Sequence, residues 1–171
     1  MIISLLGYMG SGKSHISKNL SKKINFQLID LDQKISEEHQ LTVPEIFKNK
    51  GEIFFRKEEK RILEDILNSK ENIILSLGGG TPVYYDNMDL INRKSKSIFL
   101  RASVRTLTER VLLQKHTRPL ISKLEDPDIP EFIAKHLFER NSFYSQAHFI
   151  IDTDSKEPGS ISDEIIEALK I

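Results

Sequence analysis

The 171-residue chain contains no cysteine, which excludes disulfide bonds, thiolate metal sites and a cysteine nucleophile. It also lacks an excess of charge, because 25 Lys and Arg balance 25 Asp and Glu, so no overall field favours nucleic acid or an anionic membrane. No apolar run approaches the roughly 20 residues of a membrane span, and the N-terminus enters a strand directly, without room for a signal peptide. We therefore expect a cytoplasmic protein without nucleic-acid or membrane partners. We also expect a monomer, although these observations do not bear on it.

Apolar, strand-like runs alternate along the chain with amphipathic helical stretches. The runs typical of strands lie at residues 2–6, 26–29, 73–77, 97–100 and 148–151. The spacing of apolar residues indicates helices at 54–67, at 103–113 and from Ser160 onwards. We expect an α/β fold in which a five-stranded parallel sheet carries helices on both faces. Ligands of such sheets bind beyond the carboxyl ends of the strands, so residues that follow each strand are candidates for chemistry.

Two segments interrupt this alternation within what we expect to be one domain over residues 1–171. Residues 33–69 predict two or three helices with no strand between them, an insertion that would form a separate substrate lobe. Residues 114–130 are polar and contain three prolines, which is longer and more charged than a simple connection requires. We expect a lid over 112–128 that closes on the site, with a plain surface loop as the alternative.

The most specific motif is the octapeptide G-Y-M-G-S-G-K-S at residues 7–14, which matches the phosphate-binding pattern G-x-x-x-x-G-K-S. It lies between a strand-like run and a helical pattern, as this motif requires. Glycines let backbone N–H groups surround phosphate oxygens, and the helix N-terminus adds partial positive charge. Lys13 is expected to reach the β- and γ-phosphates of a nucleoside triphosphate, and the Ser14 hydroxyl to contact Mg²⁺. The residues expected to bind the nucleotide here are Gly10, Ser11, Gly12, Lys13, Ser14 and His15.

Two carboxylates, Asp30 and Asp32, follow the second strand-like run. In an extended chain both side chains point to the same side. Phosphoryl transfer to an alcohol needs a positioned Mg²⁺ and an acceptor for the hydroxyl proton, and two carboxylates at a strand end suit these tasks. A structural role in a loop or a helix cap is the alternative for either residue.

Three consecutive glycines, Gly78, Gly79 and Gly80, follow the third strand-like run. Backbone without side chains can lie directly against a ligand, and a strained turn is the alternative explanation. No Asp ends this strand, although many P-loop proteins place their Mg²⁺ carboxylate there.

Three arginines also stand out: Arg56 in the inserted lobe, Arg118 in the expected lid, and Arg140 before the last strand-like run. Guanidinium groups bind carboxylates and phosphates bidentately. A single arginine is more often a surface residue, so these three gain meaning only as part of a larger pattern.

Together these motifs resemble those of the shikimate kinase family, small P-loop kinases related to the nucleoside monophosphate kinases. The resemblance covers nearly the whole chain and rests on the order of six elements. They are Gly7–Ser14, Asp30 with Asp32, the run from Ile46 to Arg56, Gly78–Gly80, Arg118-Pro119-Leu120, and Arg140 with Tyr144. It implies a P-loop kinase architecture with a shikimate-binding lobe and a lid, and transfer of phosphate from ATP to the shikimate 3-hydroxyl, on the route to chorismate and the aromatic amino acids.

For the acceptor, the resemblance implies that Asp32 holds the shikimate hydroxyls and is the candidate general base. Arg56 and Arg140 would bind the shikimate carboxylate, with the backbone of Gly78–Gly80 against the ring.

For the donor, the resemblance implies that Asp30 acts on Mg²⁺ through water beside Ser14, which also accounts for the missing Asp after the third strand. Arg118 would meet the transferring phosphate together with Lys13 when the lid closes. The residues that correspond to an adenine sandwich are Arg110 and Pro158.

Other functions remain open at this stage. The nearest is another kinase of the same architecture, a gluconate kinase or a nucleoside monophosphate kinase, because pocket shape decides the acceptor. A GTP-binding switch would need a guanine-reading N-K-x-D, and the nearest string, at residues 49–52, lies in the wrong place. An ATP-binding scaffold without activity is disfavoured because every catalytic residue type is present. The chain departs from the family at Ser36 and Gln40, where Glu and Gly are frequent.

Overall fold

The computed structural model describes residues 1–117 and 119–171, and the predicted site residue Arg118 lies outside them. Within these residues, five strands form one sheet in the order β2-β3-β1-β4-β5, and all its neighbouring strands are parallel. The bounds are β1 Ile2–Leu6, β2 Gln27–Asp30, β3 Ile73–Ser76, β4 Lys96–Arg101 and β5 Phe149–Asp152. The predicted five-stranded parallel sheet is therefore confirmed, with β1 and its phosphate-binding loop at the centre.

Helices connect the strands and cover both faces of the sheet. Their bounds are α1 Lys13–Ile24, α2 Leu31–His39, α3 Val43–Lys50, α4 Glu52–Leu67, α5 Asn87–Lys94, α6 Val104–Leu112, α7 Pro119–Ser122, α8 Ile129–Tyr144 and α9 Pro158–Leu169. Short 3₁₀ turns lie at Thr81–Val83, Lys115–Thr117 and Asp126–Asp128. No helix within the described ranges, 1–117 and 119–171, is long and apolar enough to cross a bilayer.

The side chains of β1 alternate between two separate hydrophobic cores. Ile3 and Leu5 are buried with residues of α1 and α9, whereas Ile2 and Leu6 are buried with residues of α2, α4 and α8. Each fully buried aliphatic side chain of this kind contributes about 1.5–3 kcal/mol to folding. This packing on both faces is what fixes the register of the central strand and the position of the loop that follows it.

The insertion between β2 and β3 consists of α2, α3 and α4, without an intervening strand in this fully described segment. Each of its first two helices begins at a recognisable cap. The Asp30 side chain accepts from the Gln33 backbone N–H at the start of α2, and Thr42 and Glu45 form a reciprocal capping box at the start of α3. These first two helices therefore have local sequence signals of their own.

Two expectations from the sequence are wrong in detail. Asp30 and Asp32 do not lie on an extended chain, because Asp30 caps α2 and Asp32 belongs to the first turn of that helix. The last helix begins at Pro158 and not at Ser160, because the fixed φ of proline suits the first helical position, where no N–H donor is needed.

Candidate active site

A cleft of about 740 Å³ opens beyond the carboxyl ends of the strands. The loop after β1, the junction of β2 with α2, and the turn after β3 line it together with residues of α4, α6, α8 and α9. The predicted site residues that line this cleft are Gly10, Ser11, Gly12, Lys13, Ser14, His15, Asp30, Asp32, Arg56, Gly78, Gly79, Gly80, Arg110, Arg140 and Pro158. The structure thus brings together residues from near the N-terminus, such as Gly10, and from near the C-terminus, such as Pro158.

The phosphate-binding loop turns sharply enough that two of its residues must be glycines. Gly10 has φ 82° and Gly12 has φ 92°, in the left-handed region that side chains disfavour. Helix α1, which is described throughout, has neither a capping side chain nor an acidic residue in its first turn. The partial positive charge at its N-terminus is therefore not neutralised locally, as binding of phosphate requires.

Lys13 lies against the backbone of this loop. Its ammonium group donates to the carbonyl oxygen of Gly7 at 2.7 Å and to that of Tyr8 at 3.1 Å. These bonds hold a positive charge beside the loop and inside the cleft, where the charge of a phosphoryl group would be stabilised.

Asp32 has the most strongly perturbed carboxylate of the cleft. Burial first, and then the nearby charges of Asp30 and Glu59, raise its pKa from 3.8 to about 6 against the opposing effect of Lys13 and Arg56. A carboxylate of this kind is ionised at neutral pH and still accepts a proton readily, which suits a general base. Because the pKa is higher in the fold than in the unfolded chain, ionisation of Asp32 lowers stability as the pH rises from about 4 to about 6.

The glycine turn after β3 brings backbone close to three functional side chains. An ideal Cβ on Gly78 would lie 2.9 Å from Asp32 Oδ1, one on Gly79 would lie 3.1 Å from Arg140 Nη1, and one on Gly80 would lie 2.8 Å from Arg56 Nη2. None of the three glycines is among the described residues with left-handed φ. Close approach, and not a strained turn, is therefore the reason for glycine at these positions.

Arg56 is held by two residues that the sequence analysis missed. Its Nη1 donates to Glu59 at 2.8 Å, and the buried Glu59 also accepts from the Thr81 hydroxyl at 2.7 Å. The guanidinium carbon lies 4.0 Å from the centre of the Tyr84 ring. Burial opposes the charge on Arg56, but the acidic neighbours, Glu59 first, outweigh it and raise the pKa. The spacing of Arg56 and Glu59, three residues apart on one helix, could have revealed this pair.

Arg140 reaches the same glycine turn from α8. One helical turn later, the buried Tyr144 donates its hydroxyl to the Gly79 carbonyl at 2.5 Å. The Arg140 guanidinium carbon also lies 5.7 Å from the centre of the Tyr8 ring. Two guanidinium groups, those of Arg56 and Arg140, thus lie at one turn beside Asp32.

Arg110 and Pro158 lie at the other end of the cleft. Arg110 donates to the Gly10 carbonyl at 3.1 Å and to the Thr153 carbonyl at 3.3 Å, which links the phosphate-binding loop with the segment after β5. Pro158 begins α9 on the far side of that segment. Their contact with adenine stays a prediction.

The cleft also fits a magnesium ion. Across residues 1–117 and 119–171 no group of three or more His, Asp or Glu side chains is arranged to hold a metal. Mg²⁺ does not need such a cage, because it is usually bound through one or two carboxylates, waters and substrate phosphates. The Ser14 hydroxyl and the Asp30 carboxylate are hard oxygen donors in one cleft with the phosphate-binding loop.

A parallel sheet covered on both faces, with a phosphate-binding loop, a buried carboxylate and two convergent arginines at its carboxyl edge, defines a P-loop kinase for a small acceptor. The shikimate kinase family model matches residues 9–170. The chain therefore belongs to the shikimate kinase family.

Individual relatives agree with this assignment. The chain is 46% identical over 168 residues to the shikimate kinase of Flavobacterium psychrophilum, covering 98% of both chains. It superposes on the crystal structure of shikimate kinase from Bacteroides thetaiotaomicron with a TM-score of 0.93 at 36% identity, covering 100% of this chain and 99% of that one. A structure of the Acinetobacter baumannii shikimate kinase in complex with shikimate gives a TM-score of 0.89 at 25% identity, covering 99% of this chain and 92% of that one.

Proposed function

We infer that this chain catalyses the ATP-dependent phosphorylation of the shikimate 3-hydroxyl, which yields shikimate 3-phosphate and ADP on the route to chorismate and the aromatic amino acids. The observation that carries this inference is the convergence of Arg56, Arg140 and Asp32 on the glycine turn, in one cleft with the phosphate-binding loop. Shikimate offers one carboxylate and several hydroxyls, which are the groups that two arginines and one aspartate recognise. The shikimate-bound relative from Acinetobacter baumannii supports the same acceptor.

In the acceptor half, Arg56 and Arg140 bind the carboxylate, and the backbone of Gly78–Gly80 lies against the ring. Glu59 keeps Arg56 charged and in place. Asp32 accepts a hydrogen bond from the 3-hydroxyl and takes its proton as phosphate transfers. A pKa of about 6 keeps Asp32 ionised at neutral pH for this purpose.

In the donor half, residues Gly10–His15 surround the phosphates, and Lys13 stabilises the charge on the transferring group. A single preorganised donor of this kind contributes about 10²–10³ in turnover. Arg110 and Pro158 enclose the adenine. Arg118 reaches the transferring phosphate when the lid, residues 112–128, closes over the cleft and excludes water.

Magnesium completes the donor half. When bound, Mg²⁺ would supply positive charge that stabilises the phosphates during transfer. The Ser14 hydroxyl would hold the ion directly, and Asp30 would hold it through a water molecule. Asp30 Oδ1 caps α2, which fixes the carboxylate and leaves Oδ2 for that water.

The insertion, residues 33–69, acts as the substrate lobe because α4 within it carries Arg56 and Glu59. The enzyme works as a cytoplasmic monomer. Sedimentation equilibrium at micromolar concentration would give the mass of one chain, and a dimer mass would overturn this part of the proposal.

The test of the function is the structure of the product. Incubation with Mg·ATP and shikimate, followed by phosphorus–proton correlation NMR, should show one new phosphomonoester coupled to the proton on C3, and far less of it after the same short incubation with Asp32→Asn. Phosphate on another hydroxyl would overturn the proposed placement of the acceptor. Release of inorganic phosphate alone would overturn the acceptor itself.

A further inference from the structure

Three polar side chains lie on one face of α8, and one of them, Arg140, lines the active-site cleft. His136, Arg140 and Tyr144 are four residues apart in turn, so they lie one above the other on the helix. Tyr144 bonds to the glycine turn, as described above, and Arg140 lies beside it. His136 instead contacts the phosphate-binding loop, through Tyr8. The face therefore contacts both the glycine turn and the phosphate-binding loop.

Tyr8 occupies a variable position of the phosphate-binding motif, yet it is almost completely buried. Its hydroxyl lies 2.9 Å from His136 Nδ1. The two rings meet edge to face, with centroids 5.5 Å apart and an interplanar angle of 89°. The Arg140 guanidinium carbon lies 5.7 Å from the centre of the same Tyr8 ring, within the range of a cation–π contact.

The protonation states of Tyr8 and His136 determine which of the two groups donates the hydrogen bond between them. Burial raises the pKa of the Tyr8 hydroxyl to about 12, so it remains a donor. Burial and the nearby charge of Arg140 lower the pKa of His136. The imidazole is therefore neutral at physiological pH, and its Nδ1 accepts the hydrogen bond from Tyr8. A neutral imidazole also avoids a second positive charge one helical turn from Arg140.

We propose that Tyr8 and His136 are positioning residues for the acceptor: the hydrogen bond fixes the Tyr8 ring, and the ring fixes the guanidinium of Arg140. This inference rests on the proposed function, in which Arg140 binds the shikimate carboxylate. Tyr8 belongs to the phosphate-binding loop. The same contact therefore fixes the position of Arg140, which binds the acceptor, relative to the loop that binds the donor phosphates. Neither residue touches the reacting atoms, so their effect is on the geometry of Arg140.

The test compares steady-state constants for shikimate and for ATP in variants of this pair. Tyr8→Leu removes the ring and should raise the KM for shikimate about fivefold to tenfold, the range of a partly buried cation–π contact. Tyr8→Phe removes only the hydrogen bond, and His136→Leu removes it together with the edge-to-face ring contact; each should raise the KM for shikimate about threefold. The KM for ATP should stay within about twofold in all three.

Two further variants separate positioning from a general structural effect. His136→Asn keeps an acceptor near the place of Nδ1 and should restore the KM for shikimate. The combination of Tyr8→Phe with His136→Leu should be no worse than His136→Leu alone, because both changes remove the same hydrogen bond. Phe138→Ala is the matched control on the same helix, since Phe138 is 83% exposed, and it should change neither constant.

The outcomes distinguish this inference from the function on which it rests. An unchanged KM for shikimate in Tyr8→Phe, His136→Leu and Tyr8→Leu, with Arg140→Ala impaired, would overturn the positioning role alone. An equal rise for shikimate and ATP would overturn it too, because the pair would then only support the fold. If Arg140→Ala itself left the KM for shikimate unchanged, the proposed carboxylate clamp would be wrong.

Discussion

Replacement of Gly80 by alanine adds a methyl group on the side of the turn where Arg56 lies. An ideal Cβ there would be 2.8 Å from Nη2, 2.9 Å from Nη1 and 3.2 Å from the guanidinium carbon. Unstrained contacts between such heavy atoms are about 3.5–4.0 Å, so the guanidinium must retreat by roughly 1 Å. The backbone itself accepts alanine, because φ −89° and ψ −20° lie in the right-handed helical region.

The cost of Gly80→Ala therefore falls on ligand binding and not on the fold. Arg56 is tied to Glu59 at 2.8 Å and stacks on Tyr84, so it cannot retreat without loss of those contacts or of its contact with the acceptor. A hydrogen bond to a charged group contributes about 1.5–3 kcal/mol. We expect the KM for shikimate to rise about tenfold to hundredfold, while the KM for ATP and the melting temperature change little.

Steady-state kinetics with each substrate varied in turn would measure this effect. Gly159→Ala is the matched control, because no atom lies within 4 Å of its ideal Cβ and its φ is not left-handed. That variant should leave the KM for shikimate unchanged. An unchanged KM in Gly80→Ala, or an equal rise in the KM for ATP, would refute the argument that glycine is needed there to admit Arg56.

Four further changes test other parts of the account. Asp32→Asn should lower kcat by about 100-fold or more. It should also raise the free energy of unfolding at pH 7 by up to about 3 kcal/mol, because a pKa of about 6 in place of 3.8 makes ionisation of Asp32 in the fold unfavourable. Urea denaturation should show this gain vanish near pH 4, and a gain independent of pH would contradict the assignment. Lys13→Ala should lower kcat by about 10²–10³, and near-normal turnover would remove Lys13 from catalysis. Arg140→Ala should raise the KM for shikimate strongly and spare ATP; equal losses would argue against a dedicated carboxylate clamp. Gln40→Gly should raise the melting temperature, because Gln40 ends α2 at φ 53°, a conformation in which glycine is favoured by up to about 1 kcal/mol.

The strands of the sheet and the phosphate-binding loop could be predicted because each is specified by a short stretch of sequence. An apolar run predicted each strand. The spacing of glycine and lysine in residues 7–14 predicts the phosphate-binding turn, because the backbone of that turn needs glycine at fixed positions. The order of strands could not be read in this way, and neither could the distances across the cleft, because both depend on how distant segments pack.

The errors have physical causes of the same kind. Asp30 and Asp32 looked like an extended pair, but the carboxylate of Asp30 captures the Gln33 N–H and starts a helix earlier than expected. Tyr84 carried no signal, since its contact with Arg56 arises only when the 3₁₀ turn after the glycines folds back on α4. The glycine frequent in the family at the position of Gln40 is explained by the left-handed backbone there, which no spacing of residues reveals.

The most direct test of the account is ADP release in a coupled assay with Mg·ATP, with shikimate, gluconate and nucleoside monophosphates offered separately and Asp32→Asn as the control. The account predicts turnover with shikimate alone, lost in the variant. Activity on another acceptor without activity on shikimate would contradict the assigned clamp of Arg56 and Arg140, even though the phosphate-binding loop would stand.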